Sequence, residues 1–170
     1  MKHLVATFVA ALALALALTT PVAAETRKGP AGSNTEVYTP TGWACEAAQE
    51  GTNAILLCGD PKDQAALLYV LVEATKVDAG LKAIDAIVDK LVVDLKLGKG
   101  KAVKVGGMKG LAFTATGKAA DNSDPATVRV LALAPNTGHM LFVVAMVRTA
   151  AEADHAAELK KVLAGIKRVD

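Results

Sequence analysis

The sequence has few of the side chains on which enzymes and nucleic-acid-binding proteins usually depend. Its 170 residues include two cysteines, one tryptophan, two tyrosines, three phenylalanines and three histidines. Beyond residue 24 the only serines are Ser33 and Ser123, and neither has the surroundings of a nucleophile elbow. Base-stacking surfaces need clustered aromatic residues, and here they are scattered. The composition therefore argues against a serine hydrolase and against a nucleic-acid-binding domain.

An excess of charge of one sign is also lacking. The chain carries 19 Lys and Arg against 17 Asp and Glu, and the part beyond residue 24 is balanced to within one charge. Proteins that bind nucleic acid normally show a clear basic excess. A chain of this length is expected to bury about two thirds of its unfolded surface as one domain. With so few aromatics, Ala, Val and Leu must build the core.

Residues 1–24 have the pattern of a secretory signal peptide. Lys2 and His3 form a basic start, residues 4–18 carry no charge, and the small residues before position 25 suit a signal peptidase. The apolar run is shorter than the ~20 residues that cross a bilayer, which disfavours a membrane anchor. No cysteine lies near the cut, so a lipoprotein is not expected. The sequence predicts cleavage after Ala24 and a soluble product in the periplasm or extracellular medium.

The two cysteines flank a predicted β-hairpin. Gly51-Thr52 fits a two-residue type II′ turn, in which glycine takes the first position. Counting outward from this turn places Cys45 opposite Cys58 at a non-hydrogen-bonded pair, where facing side chains approach closely. We predict a structural Cys45–Cys58 disulfide. A redox-active dithiol is the disfavoured alternative, because redox motifs usually hold their cysteines two residues apart at a helix start.

Further along, the sequence predicts a polar, flexible leader over residues 25–35 and a single domain over 36–170. Helical spacing predicts one helix from Asp78 to Gly98, and a capping box over 149–152 predicts the start of a second. Apolar runs predict strands over 43–49, 54–58, 67–75, 102–105, 109–116, 127–134 and 139–147, with a short leading strand at 36–38.

The resulting order is β-β-β-α-β-β-β-β-α, with the short strand at 36–38 as an optional leading element. Strands joined by tight turns pair antiparallel, and an amphipathic helix must bury its apolar face. We therefore predict an α+β fold, in which an antiparallel β-sheet is flanked by two amphipathic helices that each cover one face.

Several segments carry a resemblance to a known fold: residues 38–43 (YTPTGW) opening the domain, 53–61, the helix from Asp78, the turn over 105–110 (VGGMKG), and the closing hairpin with its helix. Their order resembles the PsbP-like fold, which the Mog-type Ran-binding proteins and several bacterial exported families share. The resemblance covers nearly all of the chain after residue 24. It implies a non-catalytic binding or assembly module, although fold alone does not assign function.

No catalytic, cofactor or metal site is predicted. His139 and His155 lack partners at metal-ligand spacing and are expected on the solvated surface. Asp85 and Asp89 lie one helical turn apart, which the wet face of an amphipathic helix explains more simply than a shared metal. Residues 121–124 lack the glycine and the distal glutamate of a calcium loop, so they are expected to form a polar turn.

Charge patterning gives one candidate interaction site. Residues 95–120 contain no Asp or Glu, and their lysines include Lys96, Lys99, Lys101, Lys104 and Lys109. Brought together, these would form a basic patch for an anionic partner, either an unknown protein or an anionic surface. The alternative is a solvated rim whose lysines complement the dipole of a helix C-terminus.

The sequence thus predicts an exported, non-catalytic binding or assembly module of unknown partner. Two alternatives from other classes stay open. One is a small secreted hydrolase or isomerase that uses scattered Asp, Glu and Lys groups in a cleft. The other is a secreted inhibitor or effector, suggested by the small size and the disulfide.

Overall fold

Antiparallel strand pairing organises the chain. The computed structural model describes residues 25–169, and the predicted signal peptide lies outside the described residues. The strands are β1 Glu25–Lys28, β2 Thr35–Thr39, β3 Ala44–Glu50, β4 Asn53–Gly59, β5 Ala65–Glu73, β6 Val92–Leu97, β7 Lys101–Val105, β8 Met108–Ala119, β9 Pro125–Asn136, β10 His139–Arg148 and β11 Lys167–Arg168. The helices are α1 Val77–Val88 and α2 Glu152–Ala164, and a 3₁₀ turn over Thr149–Ala151 leads into α2.

The large sheet has the order β3-β4-β5-β10-β9-β8, and both β6 and β7 pair with the far side of β8. β6 pairs with the C-terminal half of β8 and β7 with its N-terminal half. The two short strands therefore follow one another along a single edge of the sheet, while β3 forms the opposite edge. A smaller sheet has the order β1-β2-β11.

Each helix covers one face of the large sheet, as predicted. On one face α1 packs through Ile84, Ile87 and Val88 against a cluster that includes Val70 and Phe142. On the other face, Leu159 and Val162 of α2 belong to a second cluster. Its members from the sheet include Tyr69, Leu141 and Val143. The predicted α+β fold class is confirmed, and the two helices enclose the sheet as outer layers.

The predicted hairpin register is confirmed. Cys45 pairs with Cys58, and the disulfide joins them with their Cα atoms 4.0 Å apart. Gly51 adopts a φ of +61°, whereas Thr52 does not enter the positive-φ region. This combination suits the type II′ turn, in which the first position alone needs the left-handed conformation that glycine permits.

The first predicted helix is wrong at its C-terminal end. It ends at Val88 instead of reaching Gly98, and Val92–Leu97 forms strand β6. The apolar spacing fits both structures, but β-branched residues favour strands, and β8 offers a pairing partner that local periodicity cannot reveal. At its start, Lys76 is the N-cap and Asp78 lies in the first turn.

The flexible leader predicted over 25–35 is also wrong in part. Glu25–Lys28 forms β1 and pairs with β2. Ser33 and Thr35 are buried, with their hydroxyl oxygens 2.7 Å apart. The C-terminal strand β11 pairs with the other side of β2. Composition alone predicts a loop here, because it shows neither the pairing of β1 with the adjacent strand β2 nor the support that β2 receives from the distant strand β11.

The predicted capping box at the second helix does not form. Thr149–Ala151 is a 3₁₀ turn, and α2 begins at Glu152 without a side-chain cap. The Glu152 carboxylate instead accepts a hydrogen bond of 3.0 Å from the Thr127 hydroxyl and lies 3.8 Å from the Arg129 guanidinium. Residues of β9 thus engage the Glu152 carboxylate, which takes no part in a local cap.

Removal of the disulfide by Cys45→Ala together with Cys58→Ala should lower the free energy of unfolding by about 3 kcal/mol, because the bond restricts the unfolded chain. Urea denaturation of both proteins measures the difference. Denatured, unreduced wild-type protein should contain no free thiol, and two titratable thiols would contradict the assignment.

Replacement of the fully buried Tyr69 by Phe should cost about 1 kcal/mol at neutral pH, since its hydroxyl donates to the Tyr38 carbonyl at 3.5 Å. Burial raises the pKa of Tyr69 well above its usual value. The unfolded side chain releases its proton near pH ~10, so wild-type stability should fall as the pH rises above that value. Urea titrations at neutral and alkaline pH should show a smaller alkaline loss in Tyr69→Phe; equal losses would contradict this account.

Candidate functional site

The five lysines of the predicted basic patch lie at one edge of the large sheet. Lys96 is in β6, Lys101 and Lys104 are in β7, and Lys99 lies in the connection between the strands. Lys109, in β8, stands directly opposite Lys104. All five are exposed. We call this set the lysine edge.

Acidic groups do not neutralise the lysine edge. Among the residues the structure describes, no carboxylate lies within 4.0 Å of any of its five ammonium groups. The neighbouring Lys118 does have a partner, because its ammonium donates to Asp94 at 2.9 Å. That hydrogen bond lowers the pKa of Asp94, and Lys96 adds to the effect. The edge therefore keeps its positive charge beside a single exposed ion pair.

The turn between β7 and β8 sets the orientation of the β7 backbone. Gly106 and Gly107 have φ values of +54° and +84°, as a two-residue type I′ turn requires. The pair that closes such a turn is hydrogen-bonded, and hydrogen-bonded pairs alternate with open ones along the ladder. Ala102 and Lys104 consequently lie at open pairs, and their backbone N–H and C=O groups point away from β8. The Gly106 carbonyl, next in this outward row, accepts a hydrogen bond of 3.3 Å from the Arg168 N–H of β11, so the free part of the edge ends at Lys104.

A groove of about 400 Å³ adjoins this edge on the α2 side of the sheet. Its lining comes from β7, β9, α2 and the glycine turn: Lys104, Val105, Gly106, Arg129, Leu131, Lys160, Leu163 and Ala164. Leu131 is buried and forms the floor, while Lys160 and Ala164 are exposed at the rim. Sequence reasoning missed Arg129 and Lys160, because only the packing of α2 on β9 brings them beside β7.

A second groove, of about 220 Å³, lies on the α1 side. Leu81 and Leu95 line it, together with Leu97, whose exposed fraction of 39 % is high for a large apolar residue. Lys82 and Asp85 also line it and offset one another in charge. Asp85 is exposed, in agreement with the predicted wet face of the helix. This groove offers apolar contact without a charge preference.

His155 is not the surface residue that the sequence predicts. It is 8 % exposed and packs edge-on against Trp43, with ring centroids 6.1 Å apart. Its Nε2 lies 3.7 Å from the Asp60 carboxylate and its Nδ1 lies 3.4 Å from Glu158. The burial follows from the docking of α2 against the end of the disulfide hairpin, which residue spacing cannot show. His139 is half-buried at the start of β10.

The acidic loop over 121–124 is a polar turn, as predicted, and it is held by an arginine. Arg148 donates at 2.7 Å to Asp121 and to Asp124, and at 2.8 Å to the Asp63 carbonyl. Burial lowers the pKa of Arg148, but the hydrogen bonds to Asp124 and Asp121 outweigh it and raise the pKa overall. The carboxylates of this loop are thus paired with the Arg148 guanidinium of the same chain.

Residues 25–169 contain neither a candidate group of metal ligands nor a candidate membrane-spanning helix. This part of the chain contains no group of three or more His, Cys, Asp or Glu side chains arranged to hold a metal ion. No helix in the same range has the length and apolar character needed to cross a bilayer.

Comparison with known proteins identifies the fold. No protein-family model matches the sequence, and no curated protein is similar to it. Solved structures are similar in three dimensions. Cyanobacterial PsbP from Synechocystis superposes with a TM-score of 0.61 at 12 % identity, over 89 % of this chain and 99 % of that one. The Ran-binding protein Mog1p of Saccharomyces cerevisiae gives 0.53 at 10 % identity, over 87 % and 97 %.

The chain has the PsbP/Mog-type fold. A Bacteroides thetaiotaomicron protein adds a TM-score of 0.54 at 12 % identity, over 88 % of this chain and 50 % of the other. The resemblance seen in the sequence is therefore confirmed at the level of fold. Identities this low show a shared fold and nothing further.

Replacement of Arg148 by Gln should lower the free energy of unfolding by about 2 kcal/mol, because it removes charged hydrogen bonds from a side chain only 15 % exposed and leaves its carboxylate partners repelling one another. Lys90→Gln is the matched control, since it breaks a single exposed pair with Glu50 and should cost at most ~0.5 kcal/mol. Urea denaturation measures both, and equal losses would contradict the role of the cluster. Below about pH 4, where carboxylates protonate, the Arg148→Gln deficit should shrink.

Proposed function

We propose that the protein is an exported, non-catalytic binding module that engages an acidic protein partner through the lysine edge. One observation carries the proposal. In a chain whose total charge is nearly balanced, five lysines lie at or next to one free sheet edge, and within residues 25–169 none of them has a carboxylate within 4.0 Å. A groove that adds Arg129 and Lys160 adjoins them. Such a local concentration of charge steers and selects oppositely charged partners.

The pairing of Lys104 with Lys109 adds weight to this proposal. The two residues are cross-strand neighbours at an open pair, where side chains stand closest together. Like charges in that position destabilise a sheet. Their presence is easier to understand if a carboxylate of a partner lies between them in the bound state.

Export is proposed on two grounds. Residues 1–24 have the pattern of a signal peptide, and a structural disulfide such as Cys45–Cys58 persists in oxidising compartments. A binding role is further supported by analogy with Mog1p, a Ran-binding protein of the same fold. The buried His155 and Asp60 line neither groove, so they do not favour a hydrolase or isomerase over a binding module.

Charge reversal tests the proposal. The edge variant combines Lys99→Glu, Lys101→Glu and Lys104→Glu. The control combines Lys62→Glu, Lys76→Glu and Lys82→Glu, which changes the net charge equally on exposed residues elsewhere. The probe is fluorescent poly-L-glutamate, titrated with each protein at about 20 mM and about 300 mM salt.

Wild-type protein and the control should bind poly-L-glutamate at low salt and release it at high salt, because the attraction is electrostatic. The edge variant should bind at least about tenfold more weakly. Equal affinities in both variants, or no wild-type binding at low salt, would refute the proposal. Vesicles of phosphatidylglycerol form a separate arm, and tighter binding to vesicles than to poly-L-glutamate would overturn the assignment of a protein partner in favour of a lipid surface.

A further inference from the structure

The groove beside α2 and the free edge of β7 occupy the same corner of the molecule. We infer that they form one seat for an extended, acidic peptide segment of a partner protein, which adds a strand to β7 and inserts an apolar side chain into the groove. This inference rests on the proposed function and specifies the chemistry of the partner.

The groove combines an apolar floor with a cationic lining. Val105, Leu131 and Leu163 provide the apolar surface. Lys104, Arg129 and Lys160 also line the groove, and no Asp or Glu does. An apolar side chain flanked by acidic residues fits this corner in a strand, because its body enters the groove while its neighbours lie on the opposite face, where Lys104 and Lys109 stand side by side.

Only Arg129 among these cations has an acidic neighbour. Its guanidinium lies 3.8 Å from the Glu152 carboxylate. That carboxylate also accepts a hydrogen bond of 3.0 Å from the Thr127 hydroxyl. In the part of the chain that the structure describes, Lys104 and Lys160 have no carboxylate within 4.0 Å. The groove therefore has positive charge available for a ligand.

The edge of β7 supplies backbone groups in the arrangement that a peptide strand uses. β7 pairs with β8 on one side, and the N–H and C=O groups of Ala102 and Lys104 point to the other. A free edge of this kind accepts an additional strand, whose main chain gives affinity and whose alternate side chains give specificity. Lys101, Val103 and Val105 lie on the α2 side of β7, so alternate residues of an added strand would face the groove.

The charge of the lysines determines which peptide strands can pair with β7. Lysine on an edge strand discourages pairing with other strands, which protects a sheet from aggregation. The same charge favours a strand whose side chains are acidic. A lipid surface would use the charge and leave the outward backbone groups of β7 unused, so the combined features favour a peptide.

Two peptides of equal charge and length show how much of the binding affinity comes from apolar side chains and strand formation and how much comes from charge alone. EVELEVE alternates acidic and apolar residues, whereas ESESESE lacks the apolar ones. Fluorescence anisotropy with the wild-type protein should give EVELEVE at least about tenfold tighter binding, because burial of even one apolar side chain has an effect of this size. Equal affinity for the two peptides would overturn the inference.

Two protein variants test the two parts of the seat. Ala164→Trp fills the groove, and Ala156→Trp is its control, because Ala156 is an exposed residue of α2 that does not line the groove. Ala102→Pro removes an outward N–H without removing a hydrogen bond to β8. Ala164→Trp should reduce EVELEVE affinity to that of ESESESE, and Ala102→Pro should weaken EVELEVE about fivefold or more.

The strand-addition step is also tested without changing the protein. EVELEVE methylated at alternate backbone nitrogens cannot pair along one edge, so one of the two methylation registers should lose binding while the other retains it. Retained binding in both registers, or unchanged affinity in Ala164→Trp, would overturn the inference. If EVELEVE and ESESESE bind equally, and the edge variant still binds poly-L-glutamate more weakly than the wild-type protein does, the proposed function stands and this inference fails. If poly-L-glutamate does not bind at low salt, the proposed function itself fails.

Discussion

The two-sided burial of the central strands is the constraint on which the rest of the structure depends. β5 and β10 lie next to each other in the middle of the large sheet, and nearly every residue of both is buried. Strands of this kind are apolar on both faces, so each face needs a cover. α1 and α2 supply those covers, and their docking fixes where the remaining strands can add.

With the centre covered, the edges of the sheet carry the distinctive chemistry. One edge, β3, is joined to β4 by the Cys45–Cys58 disulfide. The other edge is shared by β6 and β7 and holds the lysine edge, whose five ammonium groups have no carboxylate within 4.0 Å among the described residues. The fold thus separates a covalently secured edge from one suited to reversible contact.

Arg148 and the edge lysines differ in whether their charges are paired within the molecule. Arg148 joins the loop over 121–124 to the turn at Asp63 and meets its carboxylate partners within the molecule. Lys104 and Lys109 instead face each other, and in the described part of the chain neither has a carboxylate within 4.0 Å. Because charges that stabilise a fold are usually paired, this difference in pairing distinguishes the Arg148 cluster from a surface available to a partner.

The sequence by itself determined what local geometry controls. Counting outward from Gly51-Thr52 was sufficient for the Cys45–Cys58 register, because a two-residue turn fixes every pair that follows it. The alternation of the strands and the apolar faces of two helices were sufficient for the fold class. The cluster of lysines was visible as well, because it is contiguous in the chain.

Only the tertiary structure decided where distant segments meet. Val92–Leu97 is a strand because β8 is beside it, and His155 is buried because α2 lies against Trp43. The groove depends on β9 and α2 bringing Arg129 and Lys160 to β7. Long-range contacts such as these form through packing between elements, and local propensity and spacing do not encode which element will be the neighbour.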